Sequence, residues 1–147
     1  MQRYPIVLAC AALLAACSGP KGASVTGPGG GNQATLAYAG DFHPVAHSAG
    51  GSANVYVLGG SQELRFTSNF STEANPNLEV WLVDADDPMD NHTVEISPHL
   101  SLGPLKSATG AQVYPLPPNT DLMQYRSVTV WCVSAHVNFA TAPLMMQ

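Results

Sequence analysis

The chain has 147 residues, the length of one ordinary domain, and 46% of them are hydrophobic while only 10% are charged. The formal net charge is −5, and the five Lys and Arg residues are scattered rather than clustered. Such a distribution would not neutralise a phosphate backbone, so we expect no nucleic-acid partner. The 13 Gly and 12 Pro, without a long heptad or amphipathic helical pattern, favour an all-β domain.

The amino terminus has the plan of a cleaved export signal over residues 1–16. Arg3 precedes an apolar run, residues 6–16, which is too short to span a bilayer. The run ends in Leu14-Ala15-Ala16-Cys17, which resembles a bacterial lipobox, the motif whose cysteine is lipidated and becomes the first mature residue. Cys17 is therefore the predicted lipid attachment site, and an ordinary signal peptide cut nearby is the alternative.

The next residues predict where the anchored protein lies and how it is tethered. Ser18, rather than the aspartate that resembles an inner-membrane retention signal, favours the outer membrane. Several acyl chains on one residue would hold the protein there, so we expect a lipid-anchored protein of the bacterial cell envelope, facing the periplasm or the surface. Residues 17–33 are the predicted anchor and flexible linker, because residues 18–33 are Gly/Ser/Pro-rich and have almost nothing to bury.

Residues 34–147 form the predicted folded domain. Short apolar stretches are interrupted by Gly, Pro, Asn and Asp at intervals of about ten residues, which is typical of an all-β sandwich or barrel. The clearest strand has Leu78, Val80 and Leu82 alternating with Glu79 and Trp81. We expect a compact antiparallel fold with short turns and with strands at Asn54–Leu58, Glu63–Thr67, Leu78–Leu82, Thr93–Ile96, Gln112–Leu116 and Ser127–Phe139.

Two polar segments connect these strands. Asp84–His92 is an acidic turn that lacks the glycine and the distal glutamate of a calcium loop. Residues 119–125 begin with Asn119, Thr120 and Asp121, which are favourable helix caps. They predict one short helical turn before the last strand.

The cysteine count singles out Cys132. Cys10 leaves with the signal and Cys17 is consumed by lipid, so Cys132 is the one thiol expected in the mature protein, in an oxidising compartment. A thiol in that position has no partner for a disulfide within the chain.

The exposure of Cys132 depends on the register of its strand. Strict alternation would place it on a polar face with Ser134. If Cys132 instead shares a core face with Val128 and Val130, a bulge at residues 133–134 is needed to bring later apolar residues inward. The sequence leaves open whether the cysteine is a buried structural residue or a reachable thiol.

A copper site is the rival interpretation. Cys132, His136 and Met145 or Met146 are residue types typical of a blue-copper site. On one continuous strand, however, Cys132 and His136 would lie roughly 13 Å apart. This spacing argues against a shared metal ion.

Many short segments of the chain, taken in order and spacing, resemble the DM-thirteen domain family over about residues 37–144. They are Gly40-Asp41-Phe42, His47, Gly51-Ser52-Ala53, Glu63-Leu64-Arg65-Phe66, Asn69-Phe70, Leu78-Glu79-Val80-Trp81-Leu82, Leu102-Gly103-Pro104-Leu105-Lys106, Tyr114, Leu116-Pro117, Thr120-Asp121-Leu122, Tyr125-Arg126-Ser127-Val128, Val130-Trp131-Cys132, Val137-Asn138-Phe139 and Ala142-Pro143-Leu144.

The resemblance implies a compact all-β domain with a characteristic cysteine in its final strand, which falls on Cys132, and a part in electron transfer. Animal members stand beside haem-binding domains, and bacterial members are often small exported lipoproteins. His47 stands where the family has a histidine. Two positions depart from the pattern: Asn75-Pro76 replaces a frequent Gly-Pro, and Ala135 replaces an aromatic residue.

We therefore expect a membrane-anchored lipoprotein with an electron-transfer or thiol-redox role centred on Cys132, with Trp131 and His47 shaping its surroundings. A redox protein is the expected partner besides the membrane. The alternative is a non-catalytic module that binds a protein or ligand and has a structural cysteine. The residues identify no cofactor of the chain's own, and copper or the haem of a partner are the alternatives. The sequence contains neither a nucleophile elbow nor a motif typical of a catalytic triad, so no motif indicates a classical enzyme.

Overall fold

A computed structural model describes residues 33–147. The predicted signal peptide, the lipid attachment site Cys17 and the linker up to residue 32 lie outside the described residues. Within residues 33–147, no helix is long and apolar enough to cross a membrane.

The described residues form twelve strands and one short helix, so the predicted all-β class is confirmed. The strands are β1 Thr35–Asp41, β2 His43–Pro44, β3 Ala49–Gly50, β4 Ser52–Leu58, β5 Ser61–Phe66, β6 Ser71–Thr72, β7 Leu78–Val83, β8 His99–Pro104, β9 Gln112–Pro115, β10 Ser127–Cys132, β11 Val137–Pro143 and β12 Met145–Met146. The helix, α1, spans Asn91–Ile96.

The strands pair antiparallel in two five-stranded sheets and one small sheet. The first sheet has the order β12-β1-β4-β5-β9, the second has the order β2-β11-β10-β7-β8, and β3 pairs with β6 alone. Alternating apolar side chains from both large sheets enclose one core, to which Val55 and Leu64 contribute from the first sheet and Val80 and Val130 from the second. Of the two predicted architectures, an antiparallel sandwich or a barrel, the sandwich is the observed one.

The central strand β10 is buried on both faces. Val128, Val130 and Cys132 face the core between the sheets. On the opposite face, Trp131 packs against Val94 of α1. The residue types of β10 therefore do not reveal that both of its faces are buried, because Ser127 and Thr129, which would suggest a solvent-facing side, are buried as completely as Val128 and Val130.

The predicted strand Thr93–Ile96 is wrong, because these residues belong to α1. Asp90 caps the helix: its carboxylate accepts hydrogen bonds from the backbone N–H of Thr93 at 2.7 Å and from the Thr93 hydroxyl at 2.8 Å. These two hydrogen bonds hold the pKa of Asp90 below its ordinary value. The cap at the end of the acidic turn overrides the β propensity of Thr93, Val94 and Ile96.

The short helix that precedes the last strands is thus α1, and not the predicted helical turn at 119–125. In that segment the chain makes two successive turns, in which Thr120 N–H donates to the Pro117 carbonyl at 3.3 Å and Gln124 N–H donates to the Asp121 carbonyl at 3.2 Å. Asn119 has a φ of +63°. This left-handed residue prevents the two turns from joining into a helix.

The predicted strand Ser127–Phe139 is a hairpin. Strand β10 ends at Cys132, residues 133–136 turn the chain back, and β11 pairs with β10. His136 occupies the left-handed region at φ +56°, which the reversal requires. The turn was missed because it has none of the Gly, Pro, Asn or Asp residues that mark turns in sequence.

Replacing Thr129 with valine should stabilise the domain. Thr129 is fully buried in the middle of β10, and its Oγ1 is buried without a hydrogen-bond partner in the described structure. Valine has nearly the same shape and removes this unsatisfied group, so we expect the free energy of unfolding to rise by about 1 kcal/mol in urea denaturation.

The matched control is Thr141→Val in the neighbouring strand β11. The Thr141 hydroxyl contacts the Pro88 carbonyl and the Asn138 amide nitrogen, each at 3.0 Å. That substitution should destabilise the domain by about 1–2 kcal/mol, because it removes a satisfied buried hydroxyl and leaves the Asn138 amide and the Pro88 carbonyl with only the hydrogen bond that they make to each other. If Thr129→Val and Thr141→Val changed the free energy of unfolding equally, the contrast between an unsatisfied and a satisfied hydroxyl would be wrong.

Candidate functional site

Cys132 is the last residue of β10 and lies between two strands of the second sheet. It pairs with Leu78 of β7 and with Val137 of β11. Its relative exposure is 0%, and it shares the core face of Val128 and Val130. Of the two registers that the sequence left open, the observed one is the core register. The chain turns back at residues 133–136 instead of bulging there.

The thiol of Cys132 has two polar neighbours. Its Sγ lies 3.9 Å from Asn75 Oδ1, to which the S–H donates, and 3.6 Å from Ser134 Oγ. Asn75 is half-buried and Ser134 is exposed. The sulfur therefore lies at the end of the core, directly beneath polar side chains that reach the surface.

Two loops form this polar cover. Asn75 Oδ1 also accepts the backbone N–H of Asn77 at 2.9 Å, and the Asn77 carbonyl accepts the N–H of Val133 at 3.0 Å. The turn before β7 and the hairpin turn after β10 are thereby joined over the thiol. Ala135, where the family resemblance places an aromatic residue, is exposed in the hairpin turn, so its small side chain leaves no gap in the core.

His47 lies beside Phe139, which is a core residue of β11. The pairing of β10 with β11 shifts register between Val130 and Trp131, so that Phe139 is the extra residue of a β-bulge. Its carbonyl accepts the N–H groups of Val45 at 3.1 Å and of His47 at 3.2 Å. The imidazole and phenyl centroids are 3.8 Å apart. The bulge thus fixes the position of the histidine.

The polar partner of His47 is Glu73, and not the thiol. His47 Nδ1 lies 2.8 Å from Glu73 Oε2, and Glu73 is two residues from Asn75. The segment 73–75 therefore contacts both sequence-predicted residues, Cys132 through Asn75 and His47 through Glu73. Sequence reasoning missed Asn75, Ser134 and Glu73 as members of the site, because loop residues are placed only by the tertiary fold.

Trp131 lies on the opposite face of the sheet from Cys132. It is 1% exposed, and its ring stacks with that of Trp81 at a centroid distance of 5.3 Å. The structure therefore brings His47 and Cys132 to one end of the core and separates Trp131 from both. Trp131 is joined to Cys132 through the backbone of β10.

The residues that the copper interpretation would use as ligands lie in different parts of the fold. His136 pairs with Glu95 at 2.7 Å and faces Trp131, while Met145 and Met146 belong to β12 in the first sheet. Cys132 and His136 stand at the two ends of a turn. The prediction that they lie on one continuous strand is therefore wrong. Within residues 33–147, no three His, Cys, Asp or Glu side chains are placed to hold a metal ion.

A model of the family described as Electron transfer DM13 matches residues 41–144. The match spans most of the chain and includes His47, Glu73, Asn75, Cys132 and Ser134. No curated protein and no solved structure matches the chain.

Proposed function

Because the chain belongs to the Electron transfer DM13 family, it has an electron-transfer-related role, and we propose that Cys132 is the redox centre of that role. The observation that carries the proposal is the position of the thiol. It is the one cysteine of the described residues, and it lies beneath Asn75 and Ser134 at the end of the core. A sulfur held by two polar groups near the surface can be uncovered by local opening of a loop.

The proposed chemistry is reversible two-electron oxidation. The Cys132 thiolate attacks a peroxide oxygen, the S–O bond forms as the O–O bond breaks, and the departing hydroxide takes up a proton to become water. The sulfur loses the two electrons that the peroxide gains. A thiol of a partner then attacks the sulfenic sulfur and releases water, and a second thiol breaks the resulting mixed disulfide to restore Cys132.

A redox partner is part of this proposal. The described residues contain no second cysteine that could resolve an oxidised Cys132. The reducing thiols must therefore come from a small thiol or from another protein. Haem or copper would enter only as a group that such a partner carries.

Opening of the polar cover should control the rate of the reaction. Asn75→Ala removes the oxygen that accepts both the Cys132 S–H and the Asn77 N–H. We expect folded full-length protein with this change to be modified at Cys132 about tenfold faster by a thiol reagent and by peroxide, since the opening free energy falls by about 1.4 kcal/mol. Mass spectrometry of the Cys132 peptide measures both rates.

Asn69→Ala is the matched control, because Asn69 is exposed in the loop that precedes β6 and makes no hydrogen bond to the thiol. It should leave both rates unchanged. If Cys132 stays unmodified by peroxide in the wild type and in Asn75→Ala until the protein is denatured, the redox proposal fails.

The second candidate function is a non-catalytic binding module in which Cys132 only packs. The complete burial of the side chain favours it. The same experiment separates the two functions, because a packing residue would react only on global unfolding, at a rate that tracks stability and not the integrity of the Asn75 cover.

We also propose that the protein is a lipoprotein of the outer membrane, anchored through Cys17 and facing the periplasm or the surface. The Leu14-Ala15-Ala16-Cys17 sequence and the following linker support it. The domain would then stand off the membrane on residues 17–33, within reach of a redox partner.

Cys17→Ser should abolish lipid attachment and leave an uncleaved precursor, because the oxygen of serine does not replace the sulfur that carries the lipid. Incorporation of labelled palmitate in a bacterial host, followed by fractionation, measures this result. Cys10→Ser removes a thiol from the same segment and should leave incorporation intact. Undiminished palmitate on Cys17→Ser would exclude the proposed anchor.

A further inference from the structure

An aromatic stack crosses three adjacent strands on the outer face of the second sheet. The ring of His99 on β8 lies parallel to the ring of Trp81 on β7, at a centroid distance of 4.0 Å and an interplanar angle of 2°. Trp81 stacks in turn with Trp131 of β10 at 5.3 Å and 28°. Both faces of the Trp81 ring are therefore covered by aromatic rings. Because the π orbitals of stacked rings overlap, an electron passes readily from one indole to the other.

The inner end of this stack is joined to Cys132. Trp131 precedes Cys132 in β10, so a short run of covalent bonds links the indole on one face of the sheet to the thiol on the other. Trp131 is 1% exposed and Cys132 is 0% exposed. Trp81, by contrast, is half-buried and lies at the edge of a groove of about 300 Å³. Trp81 is therefore the ring from which a small oxidant in solvent can withdraw an electron.

A proton acceptor is already bonded to Trp81. The indole Nε1–H donates to Glu79 Oε2 at 2.7 Å, and the same oxygen accepts the Ser101 hydroxyl at 2.8 Å. An indole that loses an electron becomes a much stronger acid at this nitrogen. The positioned carboxylate can take up the proton as the electron leaves, which is general-base assistance of the oxidation. Trp81 and Glu79 together have the parts of a proton-coupled electron donor.

Tyrosine is the other side chain type that could reduce an oxidised indole, and the tyrosines of the described residues lie away from the stack. Three of them belong to the first sheet: Tyr38 to β1, Tyr56 to β4 and Tyr114 to β9. Tyr125 comes just before β10, at the end of that strand remote from Cys132. The oxidisable side chain that β10 places next to the stack is therefore the thiol.

We propose that Trp81 and Trp131 form a one-electron route between the outer face of the second sheet and Cys132. The oxidant is a small oxygen- or nitrogen-centred radical, which gains one electron from Trp81 while Glu79 takes the indole proton. Trp131 then reduces Trp81, and the proton returns from Glu79 to the Trp81 nitrogen. The inference rests on the proposed role of Cys132 as the redox centre, but it does not need the peroxide chemistry.

The last step of the route transfers an electron from Cys132 to the oxidised Trp131. The thiol proton leaves past Ser134 Oγ, which lies 3.6 Å from Sγ. Cys132 has then lost one electron and one proton and is a thiyl radical, while both indoles are restored. A thiol of the redox partner donates a hydrogen atom to the thiyl radical, which regenerates Cys132 and leaves the radical on the partner.

Pulse radiolysis of the full-length protein tests this route. Azide radicals oxidise indoles in preference to other side chains, and the protein has two tryptophans, both of which belong to the stack. The substitutions Cys10→Ser and Cys17→Ser leave Cys132 as the remaining thiol. We expect the visible absorption of the indolyl radical to decay at least about tenfold faster in this protein than after the further substitution Cys132→Ala. Cys132→Ser should behave as Cys132→Ala does, because a serine hydroxyl does not reduce an indolyl radical.

Two further variants test the order of the steps. Trp131→Phe removes the indole between Trp81 and the thiol, so the radical on Trp81 should decay slowly although Cys132 is present. Glu79→Gln can still accept the indole N–H but cannot take its proton, so conversion of the indolyl radical cation into the neutral radical should slow at least about tenfold. Glu63→Gln, on β5 of the first sheet, is the charge-matched control and should change neither process.

Two results would overturn the proposal: decay of the indolyl radical at the same rate with and without Cys132, or the appearance of the narrow tyrosyl absorption in its place. Oxidation of Cys132 by peroxide is measured separately, by mass spectrometry. If Cys132 reacts with peroxide but does not affect the indolyl radical, the one-electron route fails and the thiol chemistry stands. If Cys132 quenches the radical but resists peroxide, the route stands and the peroxide chemistry fails.

Discussion

Full-length protein with Cys132→Ala should lose peroxide-dependent formation of sulfenic acid in the domain while it remains folded. The described residues contain no other thiol, so no sulfenic acid or mixed disulfide can form in the domain once this sulfur is removed. The side chain is fully buried in the core cluster, and its loss leaves a small cavity, so we expect the free energy of unfolding to fall by about 1–2 kcal/mol. Trapping of sulfenic acid by dimedone and urea denaturation measure the two effects.

Cys132→Ser separates the role of the sulfur from its role in packing. A serine hydroxyl keeps a polar donor beneath Asn75 and fills most of the space of the thiol, whereas alanine leaves a small cavity. This variant should be as inactive as Cys132→Ala in electron exchange with the partner. If either variant still exchanges electrons at the rate of the wild type, the redox centre lies elsewhere, and Cys132 is a packing residue.

The sequence predicted the sheets where one face of a strand is core and the other is partly polar. The alternation of Leu78, Val80 and Leu82 with Glu79 and Trp81 marks β7 correctly, because a half-buried strand repeats every two residues. The prediction from sequence failed around Cys132, because β10 is buried on both faces and the turn after it has no Gly, Pro, Asn or Asp. There the pairing with β7 and β11 decides the register, and that pairing is not local information.

The family resemblance located the cysteine, but the contacts that define its chemistry come from distant segments. Asn75 reaches Cys132 over 57 residues of sequence, and Glu73 reaches His47 over 26. The stack of Trp81 on Trp131 depends similarly on cross-strand register. Thr129 pairs with Trp81, and Trp131 pairs with Glu79, so the two indoles are diagonal neighbours. No spacing within one strand could have predicted that stack.

The close approach of Gly51 to the loop of Phe70 makes Gly51→Ala a strongly destabilising substitution. Gly51 lies between β3 and β4 with a φ of +86°, and a methyl group there would lie 2.5 Å from the Phe70 Cα and 2.7 Å from its backbone nitrogen. Backbone atoms cannot rotate away as a side chain can. Phe70 is itself fixed in the core by Phe42 and Phe66, at centroid distances of 5.1 Å and 4.6 Å.

Gly110→Ala isolates the part of this effect that comes from backbone conformation alone. Gly110 has nearly the same φ, +89°, but a methyl group there would meet nothing within 4 Å. We expect Gly110→Ala to cost about 1–2 kcal/mol, the strain of a left-handed alanine, and Gly51→Ala to cost about 4 kcal/mol or more. Urea denaturation of both variants measures the difference, and equal losses would show that the contact with Phe70 relaxes freely.

Gly51→Ala should also expose the thiol of Cys132, because Gly51 is adjacent to the small β3–β6 sheet. Ala49 and Gly50 pair with Thr72 and Ser71, and the chain continues from there into Glu73 and Asn75 over the site. A displaced Phe70 loop moves the start of that cover. Modification of Cys132 should therefore be faster in Gly51→Ala than in Gly110→Ala, even after correction for their difference in global stability. If the corrected rates coincide, Asn75 is positioned by the Asn77 and Val133 contacts alone.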